Sequence, residues 1–120
     1  MTTFNTREES DALIISFESA AGLNDFRNNS LRDSLYDLVQ SRQEPRVALD
    51  LRKIDYLSSS GIGILIGLKR RVETHQGKIV LFHVDPIVCD LLKVMKLDRY
   101  FPFADDEHAA LASLRPVSTH

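Results

Sequence analysis

Two short apolar runs on either side of a helical segment constrain the fold of this chain more than any other feature. Residues 46–51 read RVALDL and residues 78–84 read KIVLFHV. Each run is too short for a helix and almost continuously apolar, which predicts a central strand covered on both faces. The stretch between them, GIGILIGLKRRVETHQG, predicts a helix that ends with Gly77 as its C′ residue.

The segments before the first run add strands and a helix. FNTR and ALIISFES, which are separated by the polar EESD, predict two strands joined by a turn. Apolar residues at Leu31, Leu35, Leu38 and Val39 predict one helix from about residue 24 to residue 40. Pro45 then stops this helix.

The last third of the chain continues the alternation. Asp85 and Pro86 form an N-cap and N1 pair in front of an apolar stripe, which predicts another helix. A short strand is expected near Phe103, and a terminal helix opens at Asp105 or Asp106. The element order predicts a single α/β domain over residues 1–120, with a mixed, mostly parallel β-sheet of four to five strands backed by about four helices.

Composition and charge restrict the function. A length of 120 residues fits one domain, and a single cysteine, Cys89, cannot form an intramolecular disulfide or a cysteine zinc site. The net charge of -2 offers no general attraction to nucleic acid. The first residues lack the apolar stretch of a leader, and GIGILIGL is too short to span a bilayer. We therefore expect a cytoplasmic protein without membrane insertion, bound metal or cofactor.

Two glycines inside the predicted central helix require a reason, because glycine costs about 1 kcal/mol relative to alanine in a helix interior. Gly63 and Gly67 lie four residues apart and share one face. Close packing of that face is the favoured explanation for both. The candidate functional residues then lie at the N-terminal end of the helix.

That end reads DYLSSSGIGIL, with three serines where one hydroxyl would satisfy the N-cap. One interpretation is a phosphate-binding glycine loop, but glycines at 61, 63 and 67 miss the G-x-G-x-x-G spacing by one residue. A second is a catalytic serine, but no G-x-S-x-G elbow is present and histidines 75, 83, 108 and 120 are scattered. Both enzymatic interpretations are disfavoured.

In a third interpretation the serines are the substrate of another enzyme. A phosphate on a hydroxyl at a helix N-terminus would meet unpaired N–H groups and the positive end of the helix dipole. The alternative is that Ser58 or Ser59 is merely the cap and its neighbours are polar loop residues. Local sequence leaves these two possibilities at about even odds.

The order VALDL, an aspartate-containing loop, SSSGIGIL, a glycine-containing helix and KIVLFHV resembles a STAS domain. This is the fold of bacterial anti-sigma factor antagonists and of the cytoplasmic tails of sulfate transporters. The resemblance covers a core of about residues 12–114. Antagonists commonly carry D-S-[ST]-G-[LI]-G, so the resemblance places Ser59 at the phosphorylated position, Ser60 at the next hydroxyl, and Gly61 and Gly63 at the glycines.

The main departure from that motif is Ser58, which stands where the aspartate is usual. Asp55 lies close by in the loop and offers a similar charge. The resemblance therefore implies a partner-binding surface made of the serines, the two glycines and this carboxylate. Ser58 is the second choice for the phosphorylated residue, since it is one step from the same helix start.

The resemblance implies an anti-sigma factor antagonist and not an enzyme. Unphosphorylated, such a protein binds an anti-sigma factor serine kinase and so releases a sigma factor. Phosphorylation of the serine turns binding off, and a PP2C-type serine phosphatase restores it. A monomer or weak dimer is expected. The alternative is a non-switching STAS adaptor subunit of a transporter or sensory assembly, in which the serines are structural.

Overall fold

A five-stranded mixed β-sheet organises the molecule. The computed structural model describes residues 4–25, 27 and 29–115. The strands are β1 (Phe4–Glu9), β2 (Ala12–Phe17), β3 (Arg46–Asp50), β4 (Lys78–Phe82) and β5 (Phe103–Ala104). They lie in the order β1-β2-β3-β4-β5, with β1 and β2 antiparallel and every other neighbouring pair parallel. The predicted mixed, mostly parallel sheet is confirmed, including the short strand near Phe103.

Five helices flank the sheet within the described residues. They are α1 (Ala20–Asn24), α2 (Asn29–Gln40), α3 (Ser59–Thr74), α4 (Pro86–Val94) and α5 (Glu107–Leu114). The first four contribute to one large apolar core, whereas α5 packs on β3 and β4 through a smaller cluster that includes Ala48, Val80 and Phe82. Both faces of the central strands are therefore buried, which explains why β3 and β4 are almost continuously apolar. No described helix is long and apolar enough to cross a membrane.

The single helix predicted from about residue 24 to residue 40 is wrong at its start. The structure has a separate five-residue helix, α1, which Ser19 caps by accepting a hydrogen bond from Gly22 N at 3.3 Å. Asp25 then leaves the helical region with φ -78° and ψ 111°. The leucine periodicity of α2 identified its buried face correctly, but it carried no information about this interruption.

The C-terminus of α3 also differs from the prediction. His75 is the C-cap and Gln76, with φ 59°, is the C′ residue, so Gly77 follows one position later. Gly77 N donates to Val72 O at 2.8 Å and Gln76 N donates to Glu73 O at 3.0 Å, which is a Schellman motif. Residue 77 must be glycine for a steric reason instead, because a Cβ there would lie 2.1 Å from the carbonyl oxygen of Pro45.

The remaining helix starts follow the sequence signals. Asp85 caps α4 by accepting from Ile87 N at 2.8 Å, with Pro86 as the first helical residue. Of the two candidates for the start of α5, Asp106 is the cap and accepts from Ala109 N at 2.9 Å. The sequence predicts these caps correctly because each capping side chain accepts from a backbone N–H only two or three residues later in the same segment.

Candidate functional site

The loop between β3 and α3 presents the serines at the carboxyl end of the sheet. Its apolar residues Leu51, Ile54 and Leu57 are buried, and Ile54 N donates to Leu51 O at 2.9 Å. The residues between these anchors point outward, so Asp55 and Tyr56 are exposed. Burial of every third residue therefore fixes the loop while leaving its polar side chains accessible.

Ser58 is the N-cap of α3. Its Oγ accepts a hydrogen bond from Gly61 N at 3.1 Å and donates to the carbonyl oxygen of Asn24 at 2.9 Å. The side chain is thus used in both directions, as a cap acceptor and as a donor to α1. A half-buried hydroxyl in this arrangement stabilises the start of α3.

Asn24 connects this cap to α1 and to the loop. Its Oδ1 accepts from Ser58 N at 2.7 Å and lies 3.1 Å from Ser58 Oγ. Its Nδ2 donates to Tyr56 O and to Ala20 O, both at 2.9 Å. Only 8% of the residue is exposed. One buried amide therefore satisfies three backbone groups, one on α1 and two on the loop that leads into α3, in keeping with the rule that buried polar groups are hydrogen-bonded.

The position of the Asn24 side chain also explains why residue 61 is a glycine. A Cβ at Gly61 would lie 2.1 Å from Asn24 Oδ1, closer than side-chain atoms approach in folded proteins. The absence of a side chain at Gly61 lets the amide reach the cap. Sequence reasoning identified Gly61 but missed Asn24, because its partner Ser58 is 34 residues away and an asparagine ending a short helix gives no separate signal.

Ser59 and Ser60 occupy the first turn of α3 beyond the cap. Ser59 is exposed, and its hydroxyl makes no hydrogen bond to the described part of the chain. Ser60 is half-buried and lines a cleft between α2 and α3. The three serines therefore have different surroundings, and Ser59 has the most accessible hydroxyl.

The two glycines on the outer face of α3 also differ. A Cβ at Gly63 would meet nothing within 4 Å, whereas a Cβ at Gly67 would lie 2.2 Å from the hydroxyl oxygen of Tyr36. Packing therefore explains Gly67 as expected, but the same explanation is wrong for Gly63. At Gly63 the helix backbone is uncovered one turn after Ser59.

The cleft beside this uncovered segment has a volume of about 280 Å³. It is lined by Asp25, Asn29, Arg32, Tyr36, Ser60, Gly63 and Ile64. Hydrogen bonds from the side chain and backbone N–H of Arg27 lower the pKa of Asp25, so this carboxylate is charged at neutral pH. The cleft therefore offers a small, mixed polar and apolar recess next to the serine helix.

Five of the six predicted site residues are exposed or half-buried, and they follow one another from the loop into the first turns of α3. Asp55 is exposed and makes no ion pair with the described residues, and it lies in the loop that leads into the serines. Gly61 alone is buried, so its part in the site is to admit the Asn24 amide and not to contact a partner. The other residues of the prediction, Ser58, Ser59, Ser60 and Gly63, follow within two turns.

His75, His83 and Cys89 have polar partners other than the serines, and His120 lies outside the described residues. His83 pairs with Asp50, at 3.2 Å between Nδ1 and Oδ1, and His75 Nδ1 is 3.0 Å from Arg71 O. Cys89 Sγ contacts the carbonyl oxygen of Val84 at 3.9 Å. In the part of the chain that the structure describes, no group of three His, Cys, Asp or Glu side chains could hold a metal ion.

Comparison with known proteins gives a consistent result. The family model described as STAS domain matches residues 3–110. The Anti-sigma F factor antagonist of Paenibacillus polymyxa is 29% identical over 91 residues, which are 76% of this chain and 78% of that protein. Its name describes that protein's activity.

Solved structures share the fold. An anti-sigma-factor antagonist (STAS) domain protein from Planctomyces limnophilus superposes with a TM-score of 0.82 at 22% identity, covering 95% of this chain and 98% of that one. The phosphorylated form of the Bacillus cell fate determinant SpoIIAA superposes with a TM-score of 0.67 at 18% identity, covering 93% and 99%. At these identities the likeness establishes the architecture.

Proposed function

Since the chain belongs to the STAS domain family, we propose that it is an anti-sigma factor antagonist controlled by phosphorylation of Ser59. Unphosphorylated, it binds an anti-sigma factor serine kinase through the serine end of α3, and a sigma factor is released. A serine phosphatase of the PP2C type returns the phosphorylated protein to the binding form. The name of the Paenibacillus polymyxa relative supports the role in sigma factor control.

The observation that carries this proposal is the exposed hydroxyl of Ser59 beside the uncovered backbone at Gly63. Ser58 performs the capping that the helix requires, so Ser59 is not needed as a cap. An exposed loop residue, Tyr56, lies three positions before it and offers an aromatic contact to a partner. The surface is therefore accessible to a kinase before modification and suited to close contact with a protein.

Phosphorylation has opposite effects on the fold and on binding. The phosphate adds about -1.5 to -2 charges, which the positive end of the α3 dipole tolerates. In a protein interface the same charge must be desolvated, which is unfavourable unless the partner supplies a matching cation. Binding therefore weakens while the protein stays folded, and this difference makes the modification a switch.

The test compares Ser59→Asp and Ser59→Ala with the parent. A carboxylate in the first turn gains about 0.3 to 1 kcal/mol from the dipole, so Ser59→Asp should unfold at the same temperature as the parent or slightly higher. We expect its calorimetric affinity for the anti-sigma factor to fall at least tenfold, which corresponds to about 1.4 kcal/mol. Ser59→Ala should bind as the parent does and accept no phosphate at this position.

Thr74→Asp is the matched control, because it adds the same charge at an exposed position at the other end of α3. The affinity of Thr74→Asp for the anti-sigma factor should stay within about twofold of the parent's affinity, which is a difference in binding free energy below about 0.5 kcal/mol. If Ser59→Asp and the phosphorylated parent both bind as tightly as the unmodified protein, the switch is refuted. A non-switching adaptor would then be the better explanation of the fold.

The proposal also implies that the isolated chain has no nucleotide chemistry of its own. The three glycines serve a close approach at Gly61, an uncovered surface at Gly63 and packing against Tyr36 at Gly67. Gly61 and Gly67 are thus explained by contacts inside the protein, without a bound phosphate. Sustained hydrolysis of ATP or GTP by the purified protein, abolished by a substitution at Gly63, would contradict this part of the proposal.

A further inference from the structure

We propose that Asn24 determines which serine accepts the phosphate, by holding the hydroxyl of Ser58 in the helix cap and leaving that of Ser59 available. This inference rests on the proposed function and adds a positioning residue to it. Asn24 itself contacts neither ATP nor the transferred group. It acts through Ser58 and the backbone of the loop.

The hydrogen bonds of Ser58 explain why Ser59, and not Ser58, is expected to accept the phosphate. Ser58 Oγ has two acceptors for its only proton, Asn24 O at 2.9 Å and Asn24 Oδ1 at 3.1 Å, and it accepts from Gly61 N at 3.1 Å. To act as an acceptor of phosphate, Ser58 would have to break these contacts and leave a helix N–H without its cap. Ser59 has no such contacts in the described structure and is exposed. The two adjacent hydroxyls therefore differ in the free energy needed to present them.

The Asn24 side chain makes three hydrogen bonds that hold Ser58 and the loop before it in place. Oδ1 accepts from Ser58 N at 2.7 Å, while Nδ2 donates to Tyr56 O and to Ala20 O at 2.9 Å. The Tyr56 contact fixes the loop just before the cap, and the Ala20 contact fixes the amide on α1. Loss of this side chain would remove the bonds to Ser58 N and Tyr56 O and the Oδ1 contact of Ser58 Oγ. Residues 56–58 could then move, which would weaken the remaining backbone contacts of the Ser58 hydroxyl to Asn24 O and Gly61 N.

Chemically, the reaction is an ordinary phosphoryl transfer from ATP. The serine Oγ forms a bond to the γ-phosphorus, and the bond from that phosphorus to the bridging oxygen of ADP breaks. ADP leaves with that electron pair, and the hydroxyl proton passes to a base of the kinase. A hydroxyl whose proton and lone pair are both engaged in the protein is a poorer nucleophile for this step than a free one.

The experiment maps phosphate on each serine after treatment with ATP and the anti-sigma factor kinase. The parent, Asn24→Ala and Gly61→Ala are compared by proteolysis and mass spectrometry of the peptide that contains residues 58–60. Gly61→Ala is an independent route to the same disturbance, because its Cβ would lie 2.1 Å from Asn24 Oδ1. We expect phosphate on Ser59 in the parent, and a rise of roughly fivefold or more in the ratio of Ser58 to Ser59 phosphate in both variants, as expected when hydrogen bonds to Ser58 are lost.

Asp106→Ala is the matched control, since it removes a helix cap of similar geometry from α5, away from the serine end of α3. It should destabilise the protein and leave the phosphate ratio unchanged, which separates site selection from general loosening. Amide hydrogen exchange at Ser58 and Gly61 gives a second measurement that needs no kinase, and Asn24→Ala should accelerate it.

The outcomes separate the inference from the proposed function. Phosphate on Ser59 with the same ratio in the parent, Asn24→Ala and Gly61→Ala overturns the inference alone. An equal rise in the Asp106→Ala control also overturns it, because general destabilisation would then explain the effect. Absence of phosphate from every serine of the parent overturns the proposed function and the inference with it.

Discussion

The first and second halves of α3 differ in how much of their surface is covered, although each half has a glycine on the same face of the helix. In the first half, neutral hydrogen bonds between Asn24 and Ser58 hold the helix start, and no side chain covers Gly63. In the second half, Tyr36 covers Gly67, and the Arg71 guanidinium lies 3.8 Å from the centre of the Tyr36 ring. The first half keeps its surface accessible, and the second half uses its surface for internal packing.

The glycines of α3 therefore have different structural roles. Gly61 admits a buried amide, Gly63 leaves the helix uncovered, and Gly67 admits an aromatic ring. A search for function should therefore ask what a Cβ at each position would meet. Among the three glycines of α3, Gly63 alone lacks an internal explanation by that criterion, and it follows Ser59 by one turn.

The largest expected effect on the free energy of unfolding comes from the link between Asn24 and the cap. Asn24→Ala removes hydrogen bonds to three backbone groups and leaves them unsatisfied, so we expect a loss of about 2 to 4 kcal/mol. At the other end of α3, Arg71→Ala removes a cation–π contact and a hydrogen bond to Gly67 O at 3.1 Å. That change should cost about 1 kcal/mol.

Urea unfolding of the two variants provides the comparison. If Arg71→Ala is the more destabilised of the two, the stability of α3 depends on its packed second half and the role given to Asn24 is wrong. Asn24→Asp is a useful companion, because it keeps the oxygen that accepts from Ser58 N but loses the N–H donors. Its second carboxylate oxygen would face the carbonyl oxygens of Tyr56 and Ala20, which accept from Nδ2 at 2.9 Å in the parent, so its free energy of unfolding should also be well below that of the parent.

The uncovered surface at Gly63 predicts a loss of partner affinity without a loss of stability. Gly63→Gln places a side chain in open space on the fold but in the way of a closely bound partner. We expect the calorimetric affinity for the anti-sigma factor to fall about tenfold or more, or at least 1.4 kcal/mol. Thr74→Gln, at an exposed position in the second half, should bind as the parent does.

Normal affinity of Gly63→Gln would place the partner elsewhere on the molecule. The unfolding temperature of this variant should equal or exceed that of the parent, because glutamine favours the helix more than glycine does. A lower unfolding temperature would instead show that Gly63 is required for folding, contrary to its open surroundings.

The alanine variants of the first-half glycines should change stability with opposite signs. Gly61→Ala forces Asn24 to move, which we expect to cost about 1 to 3 kcal/mol despite the higher helix propensity of alanine. Gly63→Ala meets no atom within 4 Å and should stabilise the protein by about 0.5 to 1 kcal/mol. Thermal and urea unfolding measure both, and equal signs would contradict the assigned roles.

The smallest expected effect concerns pH. Hydrogen bonds from the Arg27 side chain and backbone lower the pKa of Asp25 below its ordinary value of 3.8. A carboxylate with a lowered pKa in the folded state stabilises the fold above its unfolded pKa, and this stabilisation is lost as the pH falls through the folded pKa. Asp25→Asn should therefore show a slightly weaker loss of stability as the pH falls through 3.8 and below. A steeper acid dependence in the variant would contradict this pairing.

Local patterns predicted most of the architecture. The apolar runs of β3 and β4, the leucine spacing of α2, and the caps at Asp85 and Asp106 all depend on residues close in sequence, and the structure confirms them. Two features were missed or misplaced. They are the break between α1 and α2, and the amide of Asn24, whose partners Tyr56 and Ser58 lie 32 and 34 residues away.

At the site, local sequence signals predict that serines and glycines meet at a strand-to-helix junction, because hydrophobic periodicity and capping act over a few residues. The role of each serine and glycine depends instead on tertiary contacts. Ser58 became the cap that Asn24 holds, and Ser59 stayed exposed. These assignments depend on contacts between segments about thirty residues apart, and only the packing of α1 against α3 brings those segments within hydrogen-bonding distance.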